Sequence, residues 1–460
     1  MFPINKNYLS FILQLIINIF LIQIINSNQI IFPFQTESIN IESSKYIEAI
    51  TDNKIYITTE IGEPPQKITT YLTTDTSYLI IGDTSMNPTY YNNEKSKTYL
   101  KTSELTDFYF EYFTKGYYAN ETFLFQTSFN NNNNNINKQK YNNIEFIHAM
   151  EFSDKNKITP GYLGLQMPKQ NKFNLINNLK TANAISSYIW YLKYTSDSEG
   201  YLAIGQYPPE YSNNTNILKR ANALPCQNEN INTYLCWYLR FNDIKFGDIK
   251  VNRDRTAALS PELGFIIGTN EYKIKIEENY FGKIFKDKCK QILSENNYYY
   301  YECDKNTDVS SFKDLVFSHQ EFMYDFVLTK DDLFKVYGDK LYFLIVFDKY
   351  TYYGKNWKLG KPFIVKYNFI YDTDNKLIFF DNKRGQNSSN NNGNSNLIYW
   401  IIIGFLGLCV VVMIVLVLIK VVFKPKKKKA NELREDIDER INDDTGNDDD
   451  NNKKENFLGV

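Results

Sequence analysis

The chain has 460 residues, with 52 Lys and Arg against 53 Asp and Glu, so its formal net charge is −1. That balance argues against a nucleic-acid binder, which would show a basic face. Its length suggests about two or three domain-sized units, its 43% hydrophobic residues let most of it fold, and the two His (His148 and His319) exclude a His-rich metal site.

In chain order, Lys6 precedes an apolar run from Tyr8 to Ile25, and the small residue Ser27 follows. This predicts a signal peptide over residues 1–27. From about residue 50, short runs rich in Tyr, Ile, Phe and Thr recur between Gly, Pro, Asn and Asp, among them KIYITTEIG, KITTYLTT, YLIIGD, EGYLAIG and KLIFFD. They predict a mainly β protein. The stretch from Phe129 to Asn143, FNNNNNNINKQKYNN, reads as a low-complexity loop, and Phe173–Ile185 as an amphipathic helix. The run Tyr298–Tyr301 reads as a strand or hairpin with alternating exposed rings. His148 and His319 lie far apart in sequence and read as packed or surface residues, not as catalysts.

Residues 384–396 read as an Asn/Ser-rich stalk, and 397–419 as an uncharged apolar span, long enough to cross a bilayer. Lys420 and the Lys-rich stretch from Lys424 to Lys429 put the charged tail, 420–460, on the cytoplasmic side. The body then lies in an oxidising compartment. There Asn120, Asn213 and Asn387 stand in N-glycosylation sequons and are the expected acceptors. Four Cys on that side allow three pairings; the sequence-local one joins Cys226 to Cys236 and Cys289 to Cys303, while Cys409 falls in the span.

The segment IYITTEIGEPPQKITTYLTTDTSYLII resembles the opening of the pepsin-like aspartic proteases. Ile61-Gly62-Glu63-Pro64-Pro65-Gln66 matches that family's I-G-T-P-x-Q, and an ungapped count sets Thr73-Thr74-Asp75-Thr76 on its Asp-Thr-Gly-Ser. The resemblance continues in order: FYFEYFTKG is similar to the flap hairpin, with Tyr112 at the flap Tyr; PGYLGL to the G-I-L-G-L segment; NWKLGKPFIVKYNFIYDTDNKLIFF to the last element. It covers residues 50–383 and implies two pepsin-like β lobes, 50–225 and 226–383. Aligned on the strand that follows, the second Asp-Thr-Gly falls on Ser260-Pro261-Glu262.

The family's chemistry needs two carboxylates sharing one proton across a water. The resemblance therefore implies a degenerate site, with hydroxyls at Thr73 and Ser260 that do not ionise at physiological pH. Asp75 and Glu262, at equivalent places in the two loops, are the alternative carboxylate pair. The expectation is a catalytically inactive, membrane-anchored type I glycoprotein at the cell surface or an internal membrane. It would hold a peptide or protein segment in the inter-lobe cleft, with no cofactor and no metal. The alternatives are a membrane-anchored aspartic endopeptidase using the shifted pair, or a structural glycoprotein with a filled cleft.

Overall fold

The computed structural model describes residues 29–36, 46–47, 50, 55–107, 113–128, 137–152, 160–168, 173–211, 218–225, 235–350 and 356–380. The signal segment, stalk, apolar span 397–419 and tail lie outside them, as do Tyr112, Cys226, Asn213 and Asn387. No helix among the described residues is long and apolar enough to cross a membrane.

Alternation of apolar and polar residues makes the strands. Ile55–Ile61 reads IYITTEI and buries its two ends and Ile57. Tyr238–Phe246 buries Leu239, Phe241, Ile244 and Phe246. Leu79–Gly82, LIIG, is buried along its whole length, as a strand covered on both faces must be.

Among the described residues the strands build two large sheets, one of 14 strands and one of 11. The first carries the chain's opening half and also its close. Ile30–Thr36 pairs with Glu199–Ile204 and with Ile55–Ile61. Ile189–Tyr194 pairs with Phe369–Asp372, and Lys219–Asn222 pairs with Leu377–Phe380. The last hairpin thus returns from the second half to the sheet under the first. Its Tyr371 stacks on Trp190 with ring centroids 3.8 Å apart, and Trp237 meets both rings edge-on. These fully buried rings join the halves in one hydrophobic core; each large side chain so buried contributes roughly 1.5–3 kcal/mol.

Both halves repeat one motif. In the first, Gln66–Thr73 runs into a loop and then Leu79–Gly82, while Gly161–Gly164 inserts parallel to the former and antiparallel to the latter. In the second, Ile249–Leu259 runs into a loop and then Ile266–Ile267, while Trp357–Leu359 inserts parallel to one and antiparallel to the other. The mainly β, two-lobed architecture expected from the sequence is present.

Several local expectations change. Ile30–Thr36 adds a strand outside the range 50–383. The helix within Phe173–Ile185 is short, Leu175–Thr181. Its cap Asn174 accepts from the Asn177 N–H at 3.0 Å and donates from Nδ2 to the Ser77 carbonyl at 2.7 Å. Residues 137–143 are strand, not loop; 137–141 pair with Phe123–Ser128 across a long hairpin. Tyr298–Tyr301 is strand, but its rings do not alternate in exposure. Tyr300 and Tyr301 are both buried, since this strand is covered on both faces: Tyr301 stacks on Phe281 at 3.8 Å while Tyr300 packs with Tyr342.

Candidate functional site

The two loops that follow Gln66–Thr73 and Ile249–Leu259 meet at the joint between the lobes. Register relates them. Thr73 lies opposite Gly164 in its parallel pair, and Leu259 lies opposite Leu359, which puts Ser260 opposite Gly360. Ser260 therefore holds in the second lobe the place Thr73 holds in the first. Both are buried, at 5% and 4% exposure.

The two glycines permit this packing. A Cβ on Gly164 would sit 2.5 Å from the Thr76 carbonyl oxygen, and one on Gly360 would sit 2.0 Å from that of Phe265. No side chain fits at either position, so the inserted strands press directly on the loops.

The first loop is tied by its own hydroxyls. Thr73 Oγ1 accepts from the Asp75 N–H at 3.1 Å, and the Thr73 carbonyl accepts from the Leu165 N–H at 2.8 Å. In the second loop the Ser260 N–H donates to the Leu359 carbonyl at 3.0 Å, and the Leu263 N–H closes a turn on the Ser260 carbonyl at 3.0 Å.

One contact crosses between the loops. The Thr74 hydroxyl lies 2.8 Å from Glu262 Oε1 and 3.0 Å from Oε2, and the Thr74 N–H adds a longer bond to Oε1 at 3.4 Å. Burial, then the charge of Asp75, pushes the Glu262 carboxyl up to about 7, against the opposing effect of the Thr74 bonds. Asp75 itself is exposed. Tyr194 and Tyr371 lie within reach of the Glu262 charge, which adds to burial in raising both phenols. Among the described residues their buried hydroxyls have no hydrogen-bond partner, nor has the Trp190 indole N–H.

Lys358 is the exposed middle residue of Trp357–Leu359, between two fully buried neighbours. Strand alternation turns it away from the core that holds them. Burial opposes its charge, but Asp75, Tyr298, Glu262 and Tyr238 outweigh that and raise its pKa.

Residues 54–383 match the profile of the eukaryotic aspartyl proteases, over a range that spans both loops and both inserted strands. The chain belongs to that family. Among solved structures it is similar to conglutin gamma, a basic 7S globulin from lupine seeds, at 12% identity and TM-score 0.56. That similarity covers 78% of this chain and 97% of the globulin, and it shows the shared fold. No curated protein is detectably similar in sequence.

The other sequence candidates of this family member fall elsewhere. Cys289 and Cys303 form a disulfide across paired strands. Cys236 is also disulfide-bonded. Asn120 lies half-buried inside the strand Phe113–Ser128, paired with Leu100 and Glu145, and is not on a loop. The flap hairpin is described only at its base, where Thr106–Asp107 pairs with Lys115–Gly116.

Both His are packed. His319 is buried and its pKa is pushed down to about 4 by that burial. His148 has charged company that its sequence position does not reveal. Its Nε2 lies 3.0 Å from Asp83 Oδ2 in a close but poorly aligned contact, and its Nδ1 lies 3.0 Å from the Tyr99 hydroxyl. Burial alone would raise the Asp83 carboxyl; His148 and Ser85 outweigh it and hold it at about 2. The partners are distant in sequence, so no local pattern points to them. No group of three or more His, Cys, Asp or Glu suited to a metal occurs among the described residues.

Proposed function

We propose that this aspartyl protease family member binds a peptide or protein segment between its lobes and does not cut it. One observation carries the reading: the two loops related by the internal repeat present Thr73 and Ser260, both hydroxyls, at the register position assigned from sequence to the family's catalytic Asp pair. The family's reaction needs one carboxylate as base and one carboxylic acid. General acid–base catalysis is typically worth about 10²–10⁴ in rate, and a neutral hydroxyl supplies no base here. The apolar run 397–419, the lysines after it and the sequons support a type I membrane glycoprotein, at the cell surface or an internal membrane. The reading requires no cofactor and no metal.

A second reading has its own support. Glu262 has a carboxyl pushed up to about 7, partly by the charge of Asp75. A raised carboxyl beside a second acidic side chain is what a shifted acid–base pair requires. Against it, Glu262 already takes the Thr74 hydroxyl, and Asp75 stands exposed.

The test is co-elution of a random peptide pool with the full-length chain, followed by mass analysis of what is retained. Intact peptides are expected. Clipped peptides would overturn the first reading in favour of the second. No retention would overturn both, in favour of a purely structural glycoprotein.

A further inference from the structure

If the cleft binds peptide, as the reading above holds, its centre also carries a charge preference. The register that equates Thr73 with Ser260 also equates Tyr162 with Lys358, through their partners Tyr71 and Ala258. The two halves of the site therefore differ: a buried Tyr in one, an exposed ammonium in the other.

The charged groups at this centre are not equally available. Glu262 is engaged by the Thr74 hydroxyl and N–H, and its burial favours the neutral form. Asp75 has interactions of its own. The Lys358 side chain, by contrast, makes no hydrogen bond and no ion pair among the described residues, although Asp75, Glu262, Tyr298 and Tyr238 are near enough to affect its charge. The open capacity of the site is thus the Lys358 ammonium, which fits an acceptor that carries negative charge.

We propose that the cleft centre selects a peptide with an acidic side chain, whose carboxylate pairs with Lys358 Nζ. Lys358 is then a specificity residue of the binding cleft.

The experiment uses three short synthetic peptide pools of otherwise identical random composition, with a fixed central Asp, Asn or Lys. Affinity for the full-length chain is measured by fluorescence anisotropy at about pH 6, and again after K358M, K358R and K358E substitution. Wild type is expected to favour the Asp pool over the Asn pool by about fivefold to tenfold, the scale of one partly exposed charge pair. K358M is expected to remove that preference, K358R to restore it, and K358E to turn it toward the Lys pool. A melting curve on each variant separates loss of fold from loss of preference. Equal binding of all three pools by wild type, or a preference for Lys, would overturn the charge selection while leaving the peptide-binding reading intact. Failure of every pool to bind would sink that reading itself.

Discussion

Glu262 is the residue where the site's chemistry and the chain's stability meet. Its carboxyl is pushed up from an ordinary 4.5 to about 7, so between those values the folded chain holds a proton that the unfolded chain has lost. The folded state then binds more protons, and stability falls as pH rises through that window. His319 works the other way: held neutral by burial down to about 4, it adds stability as pH rises from about 4 to about 6.5. The raw pH curve mixes the two, so the comparison is wild type against E262Q. E262Q is predicted to gain stability relative to wild type on going from about pH 5 to about pH 8, by on the order of 1–2 kcal/mol once partial exposure is allowed for. Denaturant titration at the two pH values measures it; an unchanged difference would count against a raised Glu262. T74V removes the hydroxyl that solvates this carboxyl. It is predicted to cost about 1–3 kcal/mol, and more above pH 7 than below.

Elements pack here without side chains between them. Gly164 and Gly360 let the inserted strands touch the loops that carry Thr73 and Ser260. G360A forces a Cβ to within 2.0 Å of a backbone oxygen, a worse clash than the 2.5 Å one at Gly164. Overpacking of this kind costs about 1–3 kcal/mol, and thermal unfolding is predicted to rank G360A below G164A, both below wild type. The strand pair Cys289–Leu293 and Tyr298–Asp304 is closed by the Cys289–Cys303 disulfide over a separation of 14 residues. The double substitution C289S/C303S is predicted to lower stability by about 3 kcal/mol. A Tm equal to wild type under non-reducing conditions would contradict that.

For the molecule as a whole, what could be read in advance follows the range of each interaction. Strands such as Ile55–Ile61 carry their period in their own letters, and Thr73 follows from an ungapped count after Ile61-Gly62. The Asn174 cap lies just before its helix. The Thr74–Glu262 bond joins residues 188 apart, and nothing local to either foretells it. The same holds for His148 and Asp83, which topology alone brings together by pairing Ile81 with His148. Tyr300 and Tyr301 break the expected alternation because alternation assumes one wet face, and at these two residues the strand has none.

The central claim is that an aspartyl protease fold is retained while the reaction is not. The most direct measurement is cleavage of an unfolded protein substrate by the full-length chain, from about pH 3 to about pH 7, by wild type, D75N and E262Q. The account predicts no cleavage sensitive to pepstatin in any of them. Cleavage by wild type that is blocked by pepstatin and lost in D75N or E262Q would contradict it and assign the reaction to the Asp75–Glu262 pair.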